Sequence, residues 1–387
     1  MPDYSTPGVY IAENATLPPT ITSVTTSITG FVGVAETRYR LNQPTKIHSW
    51  KEYTLCYGRY SPAAPYLAPA VCSFFKNGGQ VCYVVNVADH SDSSLIGFDT
   101  TDGSAGGLQS LKAVDEVSTL CIPGATSPSV QLAMISHCES QGDRFCILDS
   151  QEAATLTDIQ QQRTLLHSDQ GFAALYYPWI EVAVEKHSAT GELQLENRFI
   201  PPSGAIAGIY AWNDLQRGVH KAPANLVIKD AISLEMNISQ SEQSLLNPQG
   251  INCIRLIDGR GIRFWGARTL AENSDELKYV PVRRLLLFLQ ESIQKSTQWA
   301  VFEPNGEALW AKVRLSVENF LLQNWRKGAF QGSRPDEAFF VRCDKSSMTQ
   351  EEIRTGILIV TIGIAAIKPA EFIVFRIAQK TSTADPA

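Results

Sequence analysis

Residue types able to do covalent chemistry are present, so the first question is whether any are spaced to act together. GATSPS (124–129) lies between a strand-like run and a helix-like run, where backbone N–H groups could cradle an anion. It lacks the glycine spacing of either phosphate-binding fingerprint, and Ser127 followed by Pro128 reads as an ordinary helix cap. GRGIRFWG (259–266) contains a G-x-G, but no long helix opens after it, so it reads as turn chemistry around a strand. His137 adjoins Cys138, and His48 shares a segment with Cys56. A Cys–His hydrolase needs thiol and imidazole in contact in space, and eight cysteines with six histidines produce chance neighbours. Neither GxSxG nor HExxH occurs, nor a cluster of metal ligands. The expectation is therefore a non-enzyme without cofactor or metal.

The elements around these residues alternate. STLCIPG (118–124) predicts a strand, a helix follows from Pro128 to about Ser140 with Gly142 ending it, and RFCILD (144–149) predicts the next strand. A helix over 152–167 and a strand FAALYYP (172–178) complete strand–helix–strand–helix–strand, the signature of an α/β layer with a parallel sheet. Upstream, TTSITGFVGVA (25–35) and VCYVVNVA (81–88) predict buried strands, and KHSATGELQLENRFI (186–200) an exposed hairpin or loop. The last third is mixed: a helix over 281–296, and a second helix in GEALWAKVRLSVENFLLQNWRKG with Asn305 as cap and Gly328 as stop. Trp310, Val313, Val317, Phe320, Leu321 and Trp325 form its apolar stripe. Then come strand AFFVRCD (338–344), a capping box from Thr349 to Glu352, and a strand over 356–367. The fold class is mixed α/β, with a middle α/β layer at about 105–235.

At 387 residues, 44% hydrophobic and 19% charged, the composition is globular and excludes disorder. No apolar run reaches the roughly 18–20 residues of a membrane span. MPDYSTPGVY has neither a basic nor an apolar signal-peptide region, so Cys56, Cys72, Cys82, Cys121, Cys138, Cys146, Cys253 and Cys343 read as reduced thiols of a cytosolic product. Residues 1–249 carry 14 Lys+Arg against 24 Asp+Glu, whereas residues 250–387 carry 19 against 15. The back is suited to an acidic partner, but no basic–aromatic nucleic-acid motif accompanies it.

Two features remain unexplained by an internal core. Aromatic and basic residues interleave in GIRFWGARTLA (261–271), VRRLLLF (282–288) and QWAVFEPNGEALWAKVR (298–314), setting Arg263, Arg268, Arg283 and Arg284 beside apolar residues. Such arginines either pair with carboxylates such as Glu303 while their stems pack, or serve a subunit interface. The second feature lies at the ends. Pro2, Pro7, Pro18 and Pro19 make residues 1–22 an extended arm containing a short strand at Val9, Tyr10 and Ile11. Glu371–Ile377 reads as a strand with Phe372, Val374 and Arg376 on one face and Ile373, Phe375 and Ile377 on the other. A strand apolar on both faces needs partners, within the chain or outside it.

These segments resemble contractile tail sheath proteins of phage tails, R-type bacteriocins and extracellular contractile injection systems. YSTPGVYIAE (4–13), TTSITGFVG (25–33) and IHSWKEYTLCYG (47–58) are similar to the family's N-terminal signatures. RGIRFWGARTL (260–270), VRRLLLFLQESI (282–293), WAVFEPNGEALW (299–310), EAFFVRCD (337–344) and KPAEFIVF (368–375) are similar to its C-terminal ones, in family order. Ala366 stands where proline is frequent in the family, and Pro281 where asparagine is. The middle layer fits the family's subtilisin-like shape, without catalytic motifs.

The resemblance implies an arm at 1–22, a core over 23–270, a C-terminal domain over 271–368 and a second arm at 369–387. It implies stacked six-membered rings forming a helix around an inner tube, with both arms donated as strands to neighbours' sheets, and baseplate and cap proteins as further partners. No nucleic acid or membrane insertion is implied. Assembly would occur in the cytoplasm of the producing bacterium, before incorporation in a phage tail or extracellular particle. A baseplate or cap component of the same fold and an α/β hydrolase remain as alternatives. Burying Phe372, Ile373, Val374, Phe375 and Ile377 contributes roughly 7–15 kcal/mol. Ordering seven residues costs roughly 7–14 kcal/mol of backbone entropy. One arm is thus near balance, and a network holds through avidity. The basic back adds Arg283, Arg284, Lys312, Arg314, Arg326 and Lys327 as candidates to face an acidic tube.

Overall fold

The computed structural model describes residues 19–371 apart from Asp102, Ala189, Glu272 and Asn273. The expected strand at Val9–Ile11 lies outside the described residues, as does the expected strand Glu371–Ile377 apart from Glu371, which is not in a strand. Internal contacts divide the chain into two units, residues 25–288 joined by the segment from Ala366, and Leu289–Ala365 joined by the residues leading to Val24.

In the larger unit the chain runs β1 (Thr29–Gly33), β2 (Thr45–Ile47), α1 (Trp50–Tyr57), α2 (Leu67–Lys76), β3 (Cys82–Asn86), α3 (Asp92–Ile96) and β4 (Thr119–Cys121). It continues through α4 (Pro128–Gln141), β5 (Phe145–Asp149), α5 (Leu156–Thr164) and β6 (Ala173–Tyr177). Next come β7 (Ile180–His187), β8 (Leu193–Ile200), α6 (Ser203–Arg217), β9 (Leu226–Val227), β10 (Ser233–Leu234), α7 (Gln240–Leu246), β11 (Ile251–Ile257) and β12 (Gly261–Trp265). A nine-stranded sheet has the order β2-β3-β1-β4-β5-β6-β11-β12-β9. Its run from β3 to β11 is parallel, and β2, β12 and β9 pair antiparallel at the two ends. The parallel layer expected at about 105–235 therefore recruits strands from both sides of that stretch. Phe31, Val32, Val84, Leu120, Phe145 and Leu175 fill its core, as parallel strands covered on both faces require.

Local chemistry explains the boundaries. Ser127 caps α4 by accepting from Val130 N–H, with Pro128 in the first turn, and Gly142 closes the helix at φ 70°. α5 is shorter than the expected 152–167, because Thr155 and Asp158 form a capping box that fixes its start. GRGIRFWG is the β11–β12 turn and strand, with Gly259 and Gly261 at φ 69° and 77°. The segment 186–200 is the antiparallel β7–β8 hairpin. Helix α6 had no forecast from periodicity; it lies against α2 through Gly204 and Gly208. A Cβ at Gly204 would stand 2.2 Å from the Ala70 carbonyl oxygen, and one at Gly208 2.3 Å from that of Phe74.

α8 (Val280–Ser296) carries the chain across the unit boundary, and α9 (Glu307–Arg326), α10 (Pro335–Ala338), β13 (Phe339–Arg342), α11 (Gln350–Arg354) and β14 (Thr361–Ile364) follow. Leu309, Trp310, Val313, Cys343 and Met348 form one buried cluster of the smaller unit, and Val317, Phe320 and Leu321 of α9 are buried as well. Asn305 does not cap α9: Gly306 occupies the cap position. The Asn305 side chain instead accepts from Trp310 Nε1 at 2.7 Å and donates to the Ile353 and Ile357 carbonyls. β14 is shorter than the expected 356–367, because Gly356 at φ 82° and the Ile357 N–H close the end of α11.

Candidate assembly interface

β13 and β14 form a sheet of only two strands, pairing Phe339 with Ile364 and Arg342 with Thr361. The Phe340 ring lies across Gly363, where an added Cβ would meet its edge, and shields a strand position without a side chain. Two strands alone are marginal in water, so this sheet has room for further strands. Among the described residues no other strand pairs with it.

Both terminal segments leave from anchored roots. Val24 N–H donates to Ser292 Oγ at 3.1 Å and Thr22 N–H to Ser296 Oγ at 3.0 Å, tying the first root to the second half of α8. In the larger unit, Arg268 Nε and Nη2 donate to the two carboxylate oxygens of Glu371 at 2.9 and 2.5 Å. Tyr279 OH also donates to Glu371 at 3.3 Å, and Lys368 Nζ to the Asp275 carbonyl at 3.2 Å. The bidentate carboxylate raises the Arg268 pKa and fixes the last described residue.

The six basic candidates divide. Lys312, Arg314, Arg326 and Lys327 are exposed on α9 or just after it. Arg283 and Arg284 are buried, 9% and 3% exposed. Arg284 makes a bidentate bond to Asp214 at 3.0 and 2.6 Å and donates to the Thr26 carbonyl at 3.0 Å, with its guanidinium over the Tyr210 ring. Arg283 stands 3.8 Å over the Phe172 ring, where burial lowers its pKa to about 10. Both arginines thus engage groups of their own unit, and the Arg284 partner is Asp214, not Glu303.

Of the residues considered for catalysis, His137 and Cys138 are packed in the core, while His48 is exposed and Cys56 half-buried. Cys138 is fully buried, and burial beside Arg144 lowers the His137 pKa to about 4. Burial also raises the Cys72 thiol to about 11, and seven of the eight free cysteines are buried. The polar pair most like a reactive one is Ser203 Oγ on Asp149 Oδ2 at 2.7 Å. Asp149 also accepts from Ser203 N–H and Gly124 N–H, and burial lifts its carboxyl to about 7. These contacts fasten α6 and the β4–α4 turn to the end of β5. A cavity of about 390 Å³ opens beside that turn, lined by Gly33, Tyr66, His90, Pro123, Gly124 and Ser127 among others. At its edge Ser127 Oγ bonds Asp92 and the His90 ring bonds the Ala63 carbonyl. Among the described residues no group of three or more His, Cys, Asp or Glu is arranged to hold a metal ion.

Comparison with known proteins agrees with this architecture. Residues 101–270 match the family described as phage tail sheath protein central domain, and residues 272–380 its phage tail sheath C-terminal domain. The sheath complex of the PVC extracellular contractile injection system, in its contracted state, is 31% identical, with 98% of this chain and 99% of that chain covered and a TM-score of 0.79. A chain of the anti-feeding prophage baseplate is 30% identical, covering 98% and 100% of the two chains at a TM-score of 0.73. The tail sheath protein of Vibrio phage KVP40 is 22% identical over 247 residues, 62% of this chain but only 36% of that protein. With two sheath-domain matches in order and near-complete correspondence to a contractile sheath subunit, the chain belongs to the contractile tail sheath family.

Proposed function

We propose that the chain is the structural subunit of a contractile sheath that polymerises helically around an inner tube and shortens to drive it through a target envelope. The observation that carries this is the near end-to-end similarity to a sheath chain in a contracted complex. The two-stranded β13–β14 sheet supports a specific mode of assembly. Neighbouring subunits insert the arms at 1–22 and 369–387, with Val9–Ile11 and Phe372–Ile377 as the donated strands, and enlarge that sheet by strand addition. Anchored roots let an arm transmit force to its own subunit while its tip stays paired next door. Heterologous links of this kind generate open helices. The exposed Lys312, Arg314, Arg326 and Lys327 face the acidic tube, and the baseplate and a terminal cap bound the assembly.

Negative-stain microscopy of the purified chain with the inner tube protein tests this. Striated cylinders are expected, lost at lower salt when those four residues are reversed to Glu. Compact particles under every condition contradict the sheath reading. Cylinders unaffected by the reversal contradict the assignment of the basic face.

A further inference from the structure

β8 is the last strand of the β10-β7-β8 sheet, and among the described residues it pairs only with β7. Proteins usually protect such an edge with charges, proline, a bulge or a covering segment. Here Leu193, Leu195 and Phe199 are 54%, 71% and 40% exposed. Strand alternation places all three on one face with Asn197. The charges within the strand are Glu196 and Arg198, opposite in sign and two positions apart.

Two antiparallel copies of β8 bring like faces together only when the two-fold passes through a residue. Centred on Glu196 or Arg198, the register opposes like charges. Centred on Leu195, it sets Leu193 against Asn197 and Gln194 against Glu196. Centred on Asn197, it sets Glu196 against Arg198 twice and Leu195 against Phe199 twice, the charge and apolar pairs that stabilise antiparallel ladders. Within one chain Glu196 already binds Lys186 and Arg198, and both basic side chains remain partly exposed, so pairing merges two small clusters of alternating sign.

We propose that β8 is a self-complementary edge through which two unassembled copies of this chain pair antiparallel about Asn197. The contact is isologous and closes on itself, unlike the heterologous links that build a sheath. It goes beyond the sheath reading and concerns the pool of free subunits, where it covers an edge otherwise open to indiscriminate pairing. A single-strand contact is small, so the dimer is weak and concentration-dependent.

Sedimentation velocity of the full chain, without tube protein, over graded concentrations decides it. A monomer–dimer equilibrium is expected, with Glu196→Arg and Arg198→Glu each weakening it at least tenfold. The E196R/R198E double exchange restores the wild-type dissociation constant, which a general loss of folding or solubility would not do. A chain monomeric throughout, or a dimer indifferent to the single exchanges or not recovered by the double one, overturns the proposal. Cylinder formation with tube protein is scored separately and is expected to be retained by all three variants. Its failure in the wild type contradicts the sheath reading and leaves the dimer measurement standing.

Discussion

Asp214 and Arg284 are each 3% exposed, so their ion pair is held away from water with its hydrogen bonds satisfied by each other and by Thr26. Removing one partner strands the other, which costs about 3–5 kcal/mol for a buried pair. Asp214→Ala is therefore expected to lower the urea-unfolding free energy by about that amount, while the double replacement Asp214→Leu with Arg284→Met costs less. An unchanged midpoint for the single variant would show that the pair contributes nothing. This pairing was only half legible in the sequence. Arginines interleaved with aromatics announced packed stems and paired heads, but the partner lies 70 residues away, where local spacing carries no information.

At the scale of elements, the α2–α6 contact depends on the missing side chains of Gly204 and Gly208. Gly208→Ala places a methyl group against the α2 backbone, which cannot yield as a side chain would. Overpacking of this kind costs about 1–3 kcal/mol, whereas alanine at an unconstrained helix site would stabilise. A urea midpoint lowered in Gly208→Ala is the expected result, and a raised one would show that the helices move apart freely. Sequence reading found the helices that carry their own punctuation: α4 has Ser127, Pro128 and Gly142, and α11 has Thr349 and Glu352. It missed α6, which begins after two prolines without a side-chain cap and is buried over most of its surface, leaving no polar face to set a period. β14 was overextended because apolar residues 357–360 look like strand, although Gly356 and the α11 cap claim that backbone.

At the scale of the molecule, the family and the parallel sheet were legible because signatures at both ends and the strand–helix alternation are written in consecutive residues. The division of the six basic candidates was not, since burial of Arg283 and Arg284 depends on α6, Phe172 and Thr26 meeting in space. The two-stranded β13–β14 sheet and the bidentate hold of Arg268 on Glu371 give the proposed lattice its mechanical sense: a sheet with room for strands and a tail rooted in its own subunit. Detaching the tail while keeping its root separates folding from assembly. The measurement is electron microscopy of a chain ending at Glu371, mixed with tube protein, alongside its circular dichroism. Native-like ellipticity with no cylinders is the predicted result. Contracting cylinders built from the shortened chain would contradict strand donation as the bond that holds the sheath together.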